Sequence, residues 1–169
     1  MVELLIVIAI AAILAMIAIP SFRDTLNTTR LNSAYGLVIN DLNQARGEAI
    51  KLNNKHVIVC PRDTNGTQCA TTANWSAGWL VCVESNVANQ CITAATAEIP
   101  NPVLILRPPL DTVLTLTASS TDPVRFVGNS SRGAGSTSLV LLGTWSGATS
   151  RYVCIAGTGN ISKQSVVCP

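Results

Sequence analysis

A single carboxylate, that of Glu3, interrupts an apolar run that extends from Met1 to Ile19. An acid at the centre of a membrane segment costs about 2.5–3.5 kcal/mol on insertion scales, and such acids usually serve a function. The next charged residues along the chain are Arg23 and Asp24. The chemistry that Glu3 predicts is therefore charge pairing, with a cation from another molecule or with the N-terminal amine of the chain itself.

Six cysteines form the second group of chemically capable residues, and all of them follow the apolar run. A domain behind a membrane anchor meets an oxidising compartment, which favours disulfides over free buried thiols. A zinc site would need close pairs such as Cys-x-x-Cys, and none occurs. Sequence alone allows fifteen connectivities. The simplest arrangement joins sequence neighbours: Cys60–Cys69, Cys82–Cys91 and Cys154–Cys168.

Residues suited to catalysis are sparse. The single histidine, His56, lies in an apolar run, where packing is the simplest interpretation. No G-x-S-x-G sequence marks a nucleophile elbow, and the glycine-rich residues 128–138 lack the pattern of a phosphate-binding loop. The tryptophans Trp75, Trp79 and Trp145 are expected to fill the core. The sequence therefore predicts no enzyme activity, no cofactor and no metal.

Basic residues dominate the last part of the chain, which carries no acid after Pro123. They could contact the phosphates of DNA, with steep salt dependence. The net charge of +2 is too small to predict such a partner by itself, and widely spaced charges are usually a solvated surface. We interpret them as solvated and keep DNA contact as the alternative: Arg125, Arg132, Arg151 and Lys163.

The apolar run around Glu3 is best explained as a membrane anchor over residues 1–20. Leu4–Ile19 alone is slightly shorter than the roughly 20 residues that span a bilayer, but the flanking residues supply the length. A signal peptide would need a basic n-region, which is missing here. A core helix is the other possibility, but apolar residues all the way round would leave it no face for solvent. Pro20 ends the run and predicts a kink, because proline removes a helical hydrogen bond.

Residues 21–54 predict an amphipathic helix, with a stop at Asn53-Asn54. Apolar residues recur every three or four positions, which is typical of a helix that packs one face on a core. The polar residues between them are expected on the opposite face: Arg30, Asp41, Gln44, Glu48 and Lys51. The apolar stripe consists of Leu31, Ala34, Tyr35, Val38, Leu42, Ala45, Ala49 and Leu52.

Residues 55–169 predict a β-rich domain, because short β-branched runs alternate with turn residues. Four prolines make Glu98–Leu110 an edge or connecting segment. Ile161 and Val166–Val167 are candidates for a final hairpin. The other predicted strands are His56–Cys60, Trp79–Val83, Val103–Leu106, Val113–Thr117, Val124–Val127, Ser138–Leu142 and Tyr152–Ile155.

Length and composition agree with this division. The 169 residues suffice for one modest domain and an anchor. Charged residues make up only 12% of the chain, and the mean hydropathy of +0.39 is high for a soluble protein. We therefore predict an α+β protein in which a long N-terminal helix, membrane-embedded in its first half, packs on an antiparallel β-sheet domain.

The N-terminal segment resembles that of type IV pilins. In that family a G-F-T-L-[IV]-E signature precedes an apolar helix that ends at a kink proline. Val2-Glu3-Leu4 matches the [IV]-E-L core of this segment, and Pro20 matches the proline at the right spacing. Further segments narrow the resemblance to the GspH/FimT/FimU branch of pseudopilins and minor pilins: Leu42–Lys51 (LNQARGEAIK), Cys60–Cys69 (CPRDTNGTQC), Trp75–Val81 (WSAGWLV), Leu104–Arg107 (LILR) and Val124–Gly133 (VRFVGNSSRG).

The resemblance implies a pilin fold and a structural role. Family members wait in the bacterial inner membrane with the globular domain in the periplasm, and a motor then extracts them into a filament whose core is built from the anchor helices. Glu3 corresponds to the acid that pairs with the N-terminal amine of a neighbouring subunit. The partners implied are other pilins and minor pilins, the inner membrane before assembly, and prepilin peptidase. The function implied is that of a FimU-like minor pilin in pilus assembly or initiation.

Two other functions occur in the same branch. One is that of the type II secretion pseudopilin H, and the other is that of a DNA-binding FimT-like pilin for natural transformation. Some FimT-type proteins bind DNA through a C-terminal G-R-x-R motif, whereas Gly159–Cys168 contains no arginine. That difference favours the minor pilin.

The start of the chain departs from the family. Met1 stands where the family has its third mature residue, and neither the leader peptide nor the glycine before the cleavage point precedes it. We interpret this as a truncated sequence or a misplaced start. Cleavage and N-methylation are therefore expected of the full-length precursor.

Overall fold

The N-terminal part of the chain forms one helix, α1, over Val2–Leu52. The computed structural model describes residues 2–128 and 136–169, apart from the side chains of Ala15 and residues 17–20. The helix continues through position 20, so the proline does not end it, and a kink there stays a prediction. The helix ends just before the predicted stop. Asn53 has a left-handed backbone (φ 47°), and its N–H donates to the carbonyl of Ala49 at 3.1 Å.

The two halves of α1 differ in exposure. Large apolar side chains of the first half are exposed, for example Val2 at 70%, Met16 at 76% and Phe22 at 64%. No helical segment among the described residues combines the length and the apolar character that crossing a membrane requires. The second half buries most of the apolar stripe that the sequence predicts, and Tyr35 and Leu52 of that stripe are partly buried. The fully buried residues, with Ile39 added, are Leu31, Ala34, Val38, Ile39, Leu42, Ala45 and Ala49.

Eight strands follow the helix and form two antiparallel sheets. The first sheet has the order β3-β2-β1-β5, and the second has the order β4-β6-β7-β8. All neighbouring strands pair antiparallel. The bounds are β1 Val57–Pro61, β2 Trp79–Val83, β3 Val103–Leu106, β4 Leu114–Ala118, β5 Val124–Phe126, β6 Thr137–Gly143, β7 Arg151–Ile155 and β8 Ile161–Gln164.

The strands agree closely with those predicted. The proline-rich segment contributes β3, which lies at the edge of the first sheet as expected. One difference concerns the final hairpin. Its second strand is β8, whereas Val166 and Val167 lie beyond it and are exposed.

One hydrophobic core joins the helix to both sheets. It contains the stripe of α1 together with inward residues from both sheets, including Val59 and Val81 of the first and Leu139 and Leu141 of the second. Of the three tryptophans predicted to fill the core, Trp75 and Trp79 are almost fully buried within it, and Trp145 is partly buried and packs against it. The fold class is therefore α+β, with a long helix packed on antiparallel sheets.

A second, smaller cluster covers the outer face of the first sheet. It consists of Ile58, Cys60, Leu80, Cys82 and Cys91, with Cys69 and Val103 packed against it. Because the helix covers one face of β1 and β2 and this cluster covers the other, every residue of both strands is buried. Such strands read as continuous apolar runs instead of alternating ones.

Candidate assembly helix and its attachment to the domain

The exposed half of α1 is the first functional feature. The large apolar side chains that the structure describes between Val2 and Phe22 are exposed, with Leu4 at 69% and Leu14 at 61%. An exposed apolar surface of this kind marks contact with a membrane or with other protein chains. Glu3 lies in the first turn, where a carboxylate interacts favourably with the helix dipole. Within residues 2–128 and 136–169, no basic side chain forms an ion pair with Glu3.

The buried half of α1 is held to the domain by Asp41, which is completely buried. Its carboxylate accepts two hydrogen bonds from Arg107, Nε to Oδ2 and Nη2 to Oδ1, each of 2.8 Å. It also accepts one from the indole Nε1–H of Trp79 at 2.9 Å. The hydrogen bonds to Asp41 raise the pKa of the Arg107 guanidinium above its usual value, although burial opposes this. The pair is a bidentate, charge-assisted contact of the strong type.

Asp41 corrects the sequence analysis, which expected this residue on the polar face of the helix. Helical periodicity shows where apolar residues face a core, but it does not distinguish a solvated acid from an acid with a buried partner. The partners lie 38 and 66 positions away in sequence. The segments WSAGWLV and LILR contain Trp79 and Arg107, but the sequence analysis used them only for the family resemblance.

Gly78 brings the two partners of Asp41 together. Its φ of 101° is a conformation that side-chain-bearing residues rarely adopt, and a Cβ atom there would lie 2.4 Å from the carbonyl oxygen of Arg107. The N–H of Arg107 donates to the carbonyl of Trp79 at 2.8 Å. The glycine of the motif therefore permits the close approach of the two chains that carry the indole and the guanidinium.

Tyr35 attaches the helix to the second sheet. Its hydroxyl donates to the carbonyl of Tyr152, a β7 residue, at 2.9 Å. Burial raises the pKa of this hydroxyl, and the charge of Arg151 opposes the rise. At the surface, Arg30 pairs with Asp111 at 3.1 Å. Directed contacts thus fix α1 against both sheets.

Glu84 forms a second buried charged cluster at the end of β2. Arg125 donates to it twice, Nε to Oε2 at 2.7 Å and Nη2 to Oε1 at 2.5 Å, and the N–H of Asn89 donates at 2.8 Å. The Nδ1 of His56 lies 3.1 Å from Oε2 and acts as a donor, because an ionised carboxylate only accepts. Burial acts to raise the pKa of Glu84, but the hydrogen bonds from Arg125 and Asn89 outweigh it, and that pKa lies below the usual value.

The structure does not gather the candidate DNA contacts into one face among the described residues. Arg125 is engaged by Glu84, which raises the pKa of the guanidinium although burial opposes it. Arg151 and Lys163 belong to β7 and β8 of the other sheet, and Arg151 donates to the hydroxyl of Thr149 at 3.1 Å. Arg132 lies outside the described residues. Their role as DNA contacts stays an untested alternative.

All six cysteines form disulfides. The Cα–Cα distances of 5.5, 5.6 and 5.6 Å fall in the usual range for such bonds. The pairs join sequence neighbours: Cys60–Cys69, Cys82–Cys91 and Cys154–Cys168.

Two solved structures have a fold similar to that of this chain. The structure is similar to a crystal structure of the type IV minor pilin FimU of Pseudomonas aeruginosa (strain PAO1) in space group P21, with a TM-score of 0.60 and 17% identity over 84% of this chain and 94% of that one. A second crystal structure of the same protein, in space group P65, gives a TM-score of 0.53 and 19% identity over 82% and 96% of the two chains. These likenesses show a shared fold.

Sequence comparison is more specific. The search of curated proteins found no match. The model of the family described as type II transport protein GspH matches residues 36–159, which include most of the buried half of α1 and every strand except β8. The chain therefore belongs to the GspH family.

Proposed function

We propose that this chain is a minor pilin that helps to assemble or initiate a type IV pilus. The observation that carries the proposal is the exposed apolar half of α1, with one carboxylate near its start and a folded domain on its other half. Membership of the GspH family and the fold shared with the minor pilin FimU support it. An apolar helix of this length needs hydrocarbon or other apolar helices around it.

In this proposal residues 1–20 hold the subunit in the inner membrane, with the domain in the periplasm, until it enters the filament. There the anchor helix packs among the helices of other pilins, and Glu3 pairs with the N-terminal amine of a neighbour. A carboxylate in an apolar environment is tolerated when an opposite charge compensates it. A single such pair also sets the register between otherwise featureless apolar helices. The precursor would be processed by prepilin peptidase first.

The decisive experiment counts surface pili, by shearing and electron microscopy, in a strain that lacks the gene. Complementation uses the full-length precursor with its leader. Loss of pili that complementation restores is the expected result. Normal pili would contradict the minor-pilin role. Loss of type II secretion in the same strain would indicate a secretion pseudopilin instead, an alternative in keeping with the family description, type II transport protein GspH.

The role of Glu3 is tested by complementation with Glu3→Ala. We expect the variant to insert in the membrane at wild-type level but to enter sheared filaments poorly, because the pairing charge is lost. Asp24→Ala, an exposed acid further along the same helix, serves as the matched control. Incorporation of Glu3→Ala at the level of the control would refute the pairing.

A further inference from the structure

The sulfur atoms of two disulfides lie side by side on the outer face of the first sheet. The Sγ atoms of Cys69, Cys82 and Cys91 all lie within 4.8 Å of one another. The fourth sulfur, that of Cys60, is bonded to Cys69. The third disulfide, Cys154–Cys168, starts from β7 in the other sheet. Two of the three disulfides are therefore in near contact, and the third stands apart from them.

The fold holds the two disulfides in this position. Cys60 and Cys82 are fixed in the central strands β1 and β2, where Cys60 pairs with Leu80 and Cys82 pairs with Ile58. Each disulfide closes a loop of the same span, with a sequence separation of 9. The end of each loop also pairs with the residue that follows its strand, through the isolated β-bridges Arg62–Cys69 and Glu84–Cys91.

A side-chain clamp joins the two loops. The amide Nε2 of Gln68 donates to the carbonyl of Cys91 at 3.1 Å, and the N–H of Cys91 donates to Oε1 of Gln68 at 2.9 Å. Gln68 immediately precedes Cys69 in the chain. The clamp therefore sets the separation between Cys69 and the neighbouring disulfide.

Exposure distinguishes one of the four sulfurs. Cys60 and Cys82 are completely buried and Cys91 is 3% exposed, whereas Cys69 is half-buried. Of these four residues, Cys69 is therefore the one that an external thiol reaches most readily. A buried apolar site also disfavours the thiolate, so exchange here is slow unless Cys69 is released.

We propose that Cys60–Cys69 and Cys82–Cys91 form one thiol–disulfide exchange unit, in which Cys69 is both the point of entry and the sulfur that changes partners. The external partner is a dithiol, such as the active site of a thiol–disulfide oxidoreductase. Its thiolate attacks Sγ of Cys69, the bond to Cys60 breaks, and Cys60 leaves as a thiolate that takes up a proton. The second thiol of the reductant then attacks the mixed disulfide at the reductant's own sulfur, which leaves the reductant oxidised by two electrons and Cys69 as a thiolate.

Exchange within the unit follows without further redox change. The Cys69 thiolate attacks Sγ of Cys82 or of Cys91, a new Cys69 disulfide forms, and the other member of the old pair leaves as a thiolate. One bond forms and one breaks. Through this step the buried Cys82–Cys91 bond becomes accessible to an enzyme that cannot reach it directly, which allows a mispaired chain to be corrected.

The test uses the full-length chain in detergent, with Cys60→Ser to leave Cys69 without its partner. After folding under oxidising conditions, the protein is alkylated with N-ethylmaleimide and the disulfides are mapped by peptide mass spectrometry. We expect Cys69–Cys82 and Cys69–Cys91 cross-links beside the native Cys82–Cys91 bond. Below the thiol pKa, the rate at which they form rises about tenfold per pH unit, because the thiolate is the attacking species.

The matched control is Cys154→Ser, which leaves Cys168 unpaired away from the unit. No cross-link from Cys168 to the four cysteines is expected. If Cys69 in Cys60→Ser is found only as the alkylated thiol with Cys82–Cys91 intact, the proposal is wrong. If that variant does not fold, wild-type protein treated with substoichiometric phosphine gives the same decision: exchanged pairs among the four cysteines support the unit, and native pairs alone overturn it.

Discussion

Loss of the Asp41 carboxylate should destabilise the domain more than the loss of any single charge on the helix surface. Asp41 is completely buried, and its two oxygens accept three hydrogen bonds from Arg107 and Trp79. Removing one partner of a buried ion pair costs about 3–5 kcal/mol, mainly because the other charge is left without compensation. The side chain of Arg107 is 32% exposed, so water screens part of that charge. We therefore expect Asp41→Leu to lose about 3 kcal/mol, at the lower end of the range.

The measurement is urea unfolding of the full-length chain in detergent, followed by far-ultraviolet circular dichroism. Glu48→Gln is the matched control, because Glu48 lies on the same helix and pairs with Lys51, whose side chain is 71% exposed. The control should lose about 0.5 kcal/mol or less. Asp41→Leu combined with Arg107→Leu should recover much of the loss, leaving about 1–2 kcal/mol for the unsatisfied indole N–H of Trp79. A single Asp41→Leu variant within 1 kcal/mol of wild type, or a double variant that loses the sum of the single losses, would refute this reasoning.

Two further predictions use the same unfolding assay. Because the pKa of Glu84 is lower in the folded chain, its contribution to stability is fully present above the unfolded-state pKa of about 4.3 and is lost as the pH falls through the folded value. In Glu84→Gln the free energy of unfolding should therefore fall less steeply as the pH is lowered, and a fall as steep as in the wild type would contradict this. Gly78→Ala should destabilise by more than about 1 kcal/mol, because the new Cβ meets the Arg107 carbonyl and φ is 101°. Gly36→Ala, on the helix with no atom within 4 Å of the new Cβ, should stabilise by roughly 0.5–1 kcal/mol; equal effects at the two glycines would rule out the close-approach explanation.

The helix, the strands and the cysteine pairs could be predicted from the sequence because the patterns that indicate them are local. The stripe from Leu31 to Ala49 repeats with the helical period, and Asn53 provides the left-handed residue on which the helix ends. The strands are short β-branched runs between turn residues, and the pairing of neighbouring cysteines needs only short loops. Each of these features can be recognised within a window of about a dozen residues.

The charged contacts could not be predicted in this way. Asp41 reads as one polar residue of an amphipathic helix until Arg107, 66 positions away, is known to face it. Arg125 reads as a free basic residue until Glu84, 41 positions away, is placed beside it. The proximity of the two disulfides likewise depends on the register of β1 and β2 and on the Gln68 clamp. Long-range pairing of this kind is set by topology, which single-sequence patterns do not contain.

The buried Asp41–Arg107 pair has a consequence beyond stability. The apolar stripe of α1 consists of similar aliphatic residues, and a slip by one helical turn of about 5.4 Å would still bury such residues. The bidentate contact to Arg107 and the Tyr35 hydrogen bond to Tyr152 are satisfied in only one register. We therefore hypothesise that these polar contacts fix how far the exposed half of α1 projects from the domain, a distance that every neighbour in a filament would have to match. The double Leu variant keeps the Tyr35 hydrogen bond, so Tyr35→Phe is added to it. This triple variant should then show more than one set of backbone amide resonances for residues 31–49, and a single wild-type-like set would count against the hypothesis.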